Sequence, residues 1–330
     1  MGSIEDAGNI HIPLVDISPY FSGDAVGKQK VADEIRDAFE NQGFLQVIGH
    51  TVPLDIQDRY LAAIAEFFSL PLADKESVSQ SNSKCHRGYE RIGGQKLDEL
   101  DENATPDQKE GFSIRRERPL GRFLEGPNQW PATMPHLKDV YMEYFDAVHQ
   151  LSKTMFRLIA LSLGLSEDHF DYFASDPNSI CLCRAHHYPP TPKDSAGRTR
   201  GVGAHSDFGA LTLLLQDNVG GLEVLHKPTS TWHAVTPIQG AYVVNIGDLM
   251  QIWTNNRYKS TMHRVISPLS EHDRYSSAFF NDGALDTIVE CISTCLGPGE
   301  KPMYAPIRVE DHCIKRYQQS YGAGGTKITV

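Results

Sequence analysis

After Asn178 the chain breaks into short β-rich runs, each closed by a turn signal: "SICLCRAHHY", "GVGAHSD", "ALTLLLQD", "GGLEVL", "AYVVNIGDLM", "HRVISP" and "RYSSAFF". Strands this short and this closely spaced bury their apolar faces only by packing two sheets against each other. "DNVGGLEV" supplies hairpin glycines. The pattern predicts a double-stranded β-helix, or jelly roll, over 178–285. Within it, Leu211, Leu213, Leu214 and Leu215 are expected to form the buried face of one strand.

The segments on either side read differently. "HIPLVDISPYF" predicts a short strand closed by Pro19, and "GFLQVIGH" predicts a second. Val31, Ile35, Ala38 and Phe39 recur at helical spacing over Lys28–Asn41, and Gly43 stops that helix. Another helix is expected after Pro53, with Ile56, Tyr60, Ile64, Phe67 and Phe68 inward. The longest apolar helical stripe runs over 137–164, as a support for the sheets. A polar stretch over 77–135, with the runs "KLDELDENATPDQKEG" and "RRERPLGR", reads as an excursion forming a wall or lid. Helical spacing from Val309 to Tyr321 predicts a final helix packed on the outside. The fold class is therefore α+β with a mainly β core in a single unit, 1–330. It divides into an N-terminal helical and strand region (10–135), the support helix, the jelly roll and a C-terminal segment (286–330).

The net charge of −11, from 31 basic and 42 acidic residues, leaves no basic face for nucleic acid. No apolar run approaches the roughly 20 residues of a membrane helix. The start "MGSIEDAGNIHIPLVD" has no apolar signal core, and Asp6 stands where a myristoylation signal needs Ser or Thr. The six cysteines contain no CxxC pair, and reduced, mostly buried thiols are expected. A cytoplasmic protein, monomeric by default, follows as the expectation.

His205 and Asp207 lie two residues apart where a strand enters the core. In a strand they would share a face. A buried carboxylate needs a cation or strong donors. Two imidazoles and one carboxylate form the facial set that holds ferrous iron with positions left open. An HxD pair alone reads first as a hydrogen-bonded pair. His263, at the start of an apolar run, is the candidate third ligand, with His186, His187, His226, His233 and His272 competing. About ten residues on, Arg274 and Ser276 share a face by the same period, and a fixed guanidinium beside a hydroxyl suits a carboxylate.

These motifs resemble the iron(II)- and 2-oxoglutarate-dependent oxygenases, in the isopenicillin N synthase-like branch. "IPLVDIS", "AFENQGFLQVIGHTVP", "YPPTP", "HSD", "GGLEVL", "VVNIGDLMQIWTNNRYKSTMHRV" and "RYSSAFF" follow in that family's order, with a tighter likeness to fungal members. The resemblance implies an N-terminal dioxygenase-type region over 10–135. It implies Fe(II) held by His205, Asp207 and His263, and 2-oxoglutarate held by Arg274 and Ser276, with Tyr188 and His186 beside it. His186 stands where plant members carry asparagine. Asn245, Gly247 and Asp248 read as a tight turn supporting the site. Dioxygen is the further co-substrate. Oxidative decarboxylation to succinate and carbon dioxide would drive hydroxylation, desaturation or cyclisation of a small organic molecule, in fungal secondary metabolism.

The substrate itself is less defined. Phe208 is a candidate stacking partner, with core packing as the alternative. Tyr89 and Phe112 from the excursion, and Asn281 with Asp282 at the end of the Arg274 strand, are candidate substrate contacts. Two other readings share the motifs: an oxidase that needs no 2-oxoglutarate, as isopenicillin N synthase does, and a non-catalytic small-molecule receptor.

Overall fold

The computed structural model describes residues 12–101, 103–191, 200–268 and 271–321. The 1–11 stretch searched above for a leader and Pro192 of "YPPTP" lie outside the described residues. In chain order the strands of the two main sheets are β1 (Leu14–Asp16), β2 (Phe44–Ile48), β3 (Gly88–Glu90), β4 (Glu110–Arg115), β5 (Ser179–Tyr188), β6 (Arg200–His205), β7 (Leu211–Gln216), β8 (Leu222–His226), β9 (Thr231–Ala234), β10 (Tyr242–Ile246), β11 (His263–Ile266) and β12 (Arg274–Ala284). The helices are α1 (Ser18–Phe21), α2 (Ala25–Asn41), α3 (Leu54–Ser69), α4 (Leu72–Ser77), α5 (Leu137–Ser162), α6 (Asp171–Ala174), α7 (Asp248–Trp253) and α8 (Val309–Tyr321).

The expected jelly roll is present. An eight-stranded sheet runs β1-β2-β10-β7-β12-β5-β4-β3 and faces a four-stranded sheet, β6-β11-β8-β9. Pairing is antiparallel except between β1 and β2. The excursion contributes β3 and β4, which widen the large sheet beyond β5. No helix among the described residues is long and apolar enough to cross a membrane.

Strand alternation separates the packing face from the functional face. On β12, Ser277, Phe279 and Asn281 point to the helices. The Ser277 hydroxyl meets Tyr60 Oη at 2.8 Å, the Phe279 ring lies 5.3 Å from Phe145, and Asn281 Nδ2 donates to Ser152 Oγ at 3.1 Å. Their neighbours Ser276, Ala278, Phe280 and Asp282 line the space between the sheets. On β7 the same alternation buries Leu211, Leu213 and Leu215 in the helix-facing core and turns Leu214 inward, so the expected four-leucine face is split between two sides.

Behind the large sheet, α3 and α5 pack together through stacked Tyr60 and Tyr144 rings, 3.8 Å apart. Asp24 accepts from the backbone N–H groups of Val26 and Gly27 and so starts α2 before the expected Lys28. Pro19 opens the turn of α1 after β1. α8 does not lie wholly on the outside: Tyr317 and Tyr321, one turn apart, are buried at the mouth of the space between the sheets.

Candidate active site

His205 ends β6, His263 begins β11, and the two are paired across the small sheet. Each ring is fixed through Nδ1, which bonds the Gly203 carbonyl at 2.8 Å and the Thr261 carbonyl at 3.1 Å respectively. That leaves both Nε2 lone pairs aimed at one point. Asp207 lies beyond the end of β6, in the turn that crosses to β7. Its carboxylate is therefore not aimed by the strand pleat, as the i, i+2 spacing suggested. It is aimed by two donors, Thr212 Oγ1 and Asn245 Nδ2, each 2.6 Å from Oδ2. Oδ1 is left 3.7 Å from Nε2 of each histidine.

The three ligand atoms lie within 4.8 Å of one another. Bonds of about 2.1 Å at 90–120° would place them about 3.0–3.6 Å apart. The protonation states suit a cation. Burial, then the His205 charge, pushes His263 down to about 4, so its lone pair is free at neutral pH. Burial opposes ionisation of Asp207, but the two imidazoles, Asn245 and Thr212 together hold its carboxyl below the ordinary value.

Arg274 is fully buried on β12. Nη1 donates to Ser276 Oγ and Nη2 to Gln216 Oε1, both at 3.1 Å, and the guanidinium lies 4.7 Å over the Tyr188 ring. All three partners are neutral, and Nε has no hydrogen-bond partner among the described residues. Among the described residues no carboxylate bonds this buried cation directly, and Asp217 acts on it only from a distance. His186, opposite Ser276 on β5, is driven well below its usual range by burial and then by Arg184, Lys109 and Arg274, so its imidazole is neutral.

These groups line two adjoining lobes. One, about 90 Å³, holds the His-Asp-His set together with His186, Tyr188, Arg274 and Ser276. The other, about 70 Å³, is walled by Phe208, Phe280, Tyr317 and Tyr321, with Arg184 and Asp282. His205 and Asp207 face both. A larger hollow of about 690 Å³ beside His226 and His233 is lined by none of the three.

Models of known families match the two halves of this architecture. That of the 2OG-Fe(II) oxygenase superfamily covers residues 179–283, and that of the N-terminal region of non-haem dioxygenases in morphine synthesis covers 12–133. A 2-oxoglutarate-Fe(II) type oxidoreductase of Emericella nidulans, hxnY, is 42% identical over 94% of this chain and 90% of its own. The chain belongs to the 2OG-Fe(II) oxygenase superfamily. Clavatol oxidase claD of Penicillium crustosum is 35% identical, with 95% of this chain and 97% of that one covered. A full-length Neurospora crassa protein, crystallised in complex with α-ketoglutarate, is 30% identical, with a TM-score of 0.84 over 96% of this chain and 98% of that one. As a 2OG-Fe(II) oxygenase, the protein is a non-haem iron enzyme that uses Fe(II), 2-oxoglutarate and dioxygen to oxidise a small organic molecule.

The oxygenase does not bring every expected residue to the cavity. Phe208 is there, its ring 6.3 Å from Tyr317. Tyr89 and Phe112 are not: they pair across β3 and β4 on the helix-facing side. Phe112 packs 4.5 Å from the Phe67 ring, and Tyr89 Oη donates to Glu110. Their neighbour Glu90 takes the inner face and binds Arg184 and Lys109. Asn281 is likewise turned to the helices, and Asp282 is the cavity residue. Among the competing histidines, His187, on β5, turns its ring to the helix-facing side of the sheet between Glu110 and Asp273, and His226 and His233 pair at the surface. The sequence reading missed Arg184, Gln95, Lys109, Tyr317 and Tyr321. The first was detectable, because Arg184 lies two residues before His186 on one strand.

Proposed function

We propose that His205, Asp207 and His263 hold the ferrous ion and that Arg274 with Ser276 receives the distal carboxylate of 2-oxoglutarate, against Tyr188. The observation that carries this reading is the pairing, in one lobe, of three converging lone pairs with a buried guanidinium whose bonded partners are all neutral. The iron, when bound, supplies oxidising power by coupling decarboxylation of 2-oxoglutarate to oxidation of a substrate C–H bond.

The chain's own residues supply geometry. The Gly203 and Thr261 carbonyls orient the imidazoles, and Thr212 and Asn245 orient the carboxylate. Arg274 fixes the co-substrate's direction, and neutral His186 adds a hydrogen-bonding edge without extra charge. Phe208, Phe280, Tyr317 and Tyr321 line the lobe where substrate lies beside the metal and exclude water from it.

The product is a hydroxylated, desaturated or cyclised small molecule. The fungal relatives, one of them named clavatol oxidase, support a place in fungal secondary metabolism. All six cysteines are free, which favours a reducing, cytoplasmic setting. The test is incubation of the protein with Fe(II), 2-oxoglutarate, ascorbate and a metabolite extract. Succinate should form alongside a product one oxygen heavier or two hydrogens lighter. Oxygen consumption that proceeds equally without 2-oxoglutarate would instead establish the isopenicillin N synthase-like oxidase reading.

A further inference from the structure

The lobe beneath α8 carries two polar groups that the metal and co-substrate sites leave unused. Asp282 and Gln95 are 7% and 5% exposed and both line it. Asp282 accepts no hydrogen bond from a described residue, and burial, opposed by Arg115 and reinforced by the Asp207 charge, pushes its carboxyl up to about 7. It lies directly over the turn that carries Asp207: a Cβ added at Gly209 would stand 1.9 Å from Asp282 Oδ1.

Gln95 has a fixed orientation. Lys109 Nζ donates to Oε1 at 3.1 Å, which assigns the oxygen to that side and leaves Nε2 as a donor without a described partner. Behind it, Lys109 and Arg184 both bind the Glu90 carboxylate, and the buried Asp107 lies close enough to act on both cations, so that end of the lobe is a compact cluster of two cations and two acids. Arg184 Nη1 also donates to Tyr321 Oη at 3.2 Å, which ties the aromatic lid to the same end.

The lobe is thus an acceptor at one end, a donor held by Lys109 at the other, and aromatic walls between. Its size, about 70 Å³, is less than half the roughly 150 Å³ of a cavity known to admit benzene, so a single ring fits only by also reaching the adjoining metal lobe, and a second ring has no space within it.

We propose that the lobe selects a compact single-ring substrate bearing two complementary groups: an N–H or O–H donor taken by Asp282, and a carbonyl or carboxylate oxygen taken by Gln95 Nε2 at the Arg184 end, with the ring against Phe208, Phe280 and Tyr317. This rests on the oxygenase reading, since the lobe adjoins the His-Asp-His set.

The test uses the full chain with Fe(II) and 2-oxoglutarate under anaerobic conditions, titrated calorimetrically. The probes are the three hydroxybenzoates and uracil, their O- or N-methylated counterparts, phenol and benzoate, and 6-hydroxy-2-naphthoate as a two-ring control. At least one donor-plus-acceptor probe should bind tenfold or more tightly than its methylated, single-group and two-ring counterparts. Asp282→Asn should weaken that probe about tenfold and leave benzoate unchanged, and Gln95→Leu should weaken it and leave phenol unchanged. Equal binding of methylated or two-ring probes, no binding by any probe, or indifference to both substitutions overturns the proposal. Succinate formation from 2-oxoglutarate once the same preparation is exposed to air separates the two levels. Turnover without the stated preference defeats the substrate class alone, and failure to bind Fe(II) and 2-oxoglutarate defeats the reading beneath it.

Discussion

Thr212 and Asn245 are positioning residues for Asp207, and their removal can be worked through in numbers. Both donors reach Oδ2 at 2.6 Å, and this leaves Oδ1 for the space between the histidines. Both are buried, and both line the metal lobe. Thr212→Val and Asn245→Leu delete the donors at nearly constant volume. A hydrogen bond to an ionised group is worth about 1.5–3 kcal/mol, and loss of a partner that orients a metal ligand typically costs about 10–100-fold in affinity. With one donor left, Oδ2 stays anchored, so each single variant should weaken Fe(II) binding about 10-fold. With both gone the carboxylate can swing, and the double variant should lose more than the product of the two single losses. Anaerobic Fe(II) titration reads this directly, with Zn(II) as a second metal insensitive to oxidation. A double variant that binds either metal within threefold of the parent would refute the assignment of these two residues as the aim of Asp207.

Arg274→Leu should raise the apparent requirement for 2-oxoglutarate roughly 10–100-fold with a much smaller effect on substrate, and Arg274→Lys should fall between because it keeps the charge and loses the fork; equal effects on both would contradict the clamp. Phe112→Ala should cost about 3–5 kcal/mol in denaturant unfolding with no change in substrate preference, because the ring packs against Phe67 and Tyr141 on the helix side; a changed preference would return it to the pocket. Burial alone would lower His187, but Glu110 and Asp273, 2.7 and 2.8 Å from its nitrogens, raise it. A raised histidine stabilises the fold fully below its unfolded value of about 6.5, and the contribution is lost as pH rises through the native value. The stability gap between parent and His187→Gln, measured by urea unfolding, should therefore be widest at acid pH and close toward alkaline pH; a gap that widens with pH would reverse the assignment.

The residues that show through in the sequence are those set by short fixed spacings. Arg274 and Ser276 share a face because β12 is regular there, and alternation alone places them. His205 and Asp207 were found through the same rule for a partly wrong reason, since the strand ends at His205 and the crossing turn, Thr212 and Asn245 do the aiming. The lining of the second lobe is not legible because its membership depends on register, and a slip of one residue turns a side chain to the other face. Tyr89 in place of Glu90, and Asn281 alongside Asp282, are both errors of that kind. Nothing local marks which face of β3 or of the end of β12 looks inward; the pairing of β3 with β4 and the bulge near Asn281 decide it. Gln95, Tyr317 and Tyr321 reach the lobe from segments far from the metal strands, so no spacing to His205 announces them. The helical pattern of α8 was legible, but its docking over the cavity mouth was not.

The central claim is that His205, Asp207 and His263 together form the one iron site of the oxygenase. Its most direct test is anaerobic Fe(II) titration of the parent protein beside His263→Ala and Asp207→Ala, with folding checked by circular dichroism. The account predicts one tightly bound iron per parent chain and binding weakened at least about 100-fold in each folded variant. A folded variant that takes up one iron as tightly as the parent would contradict it.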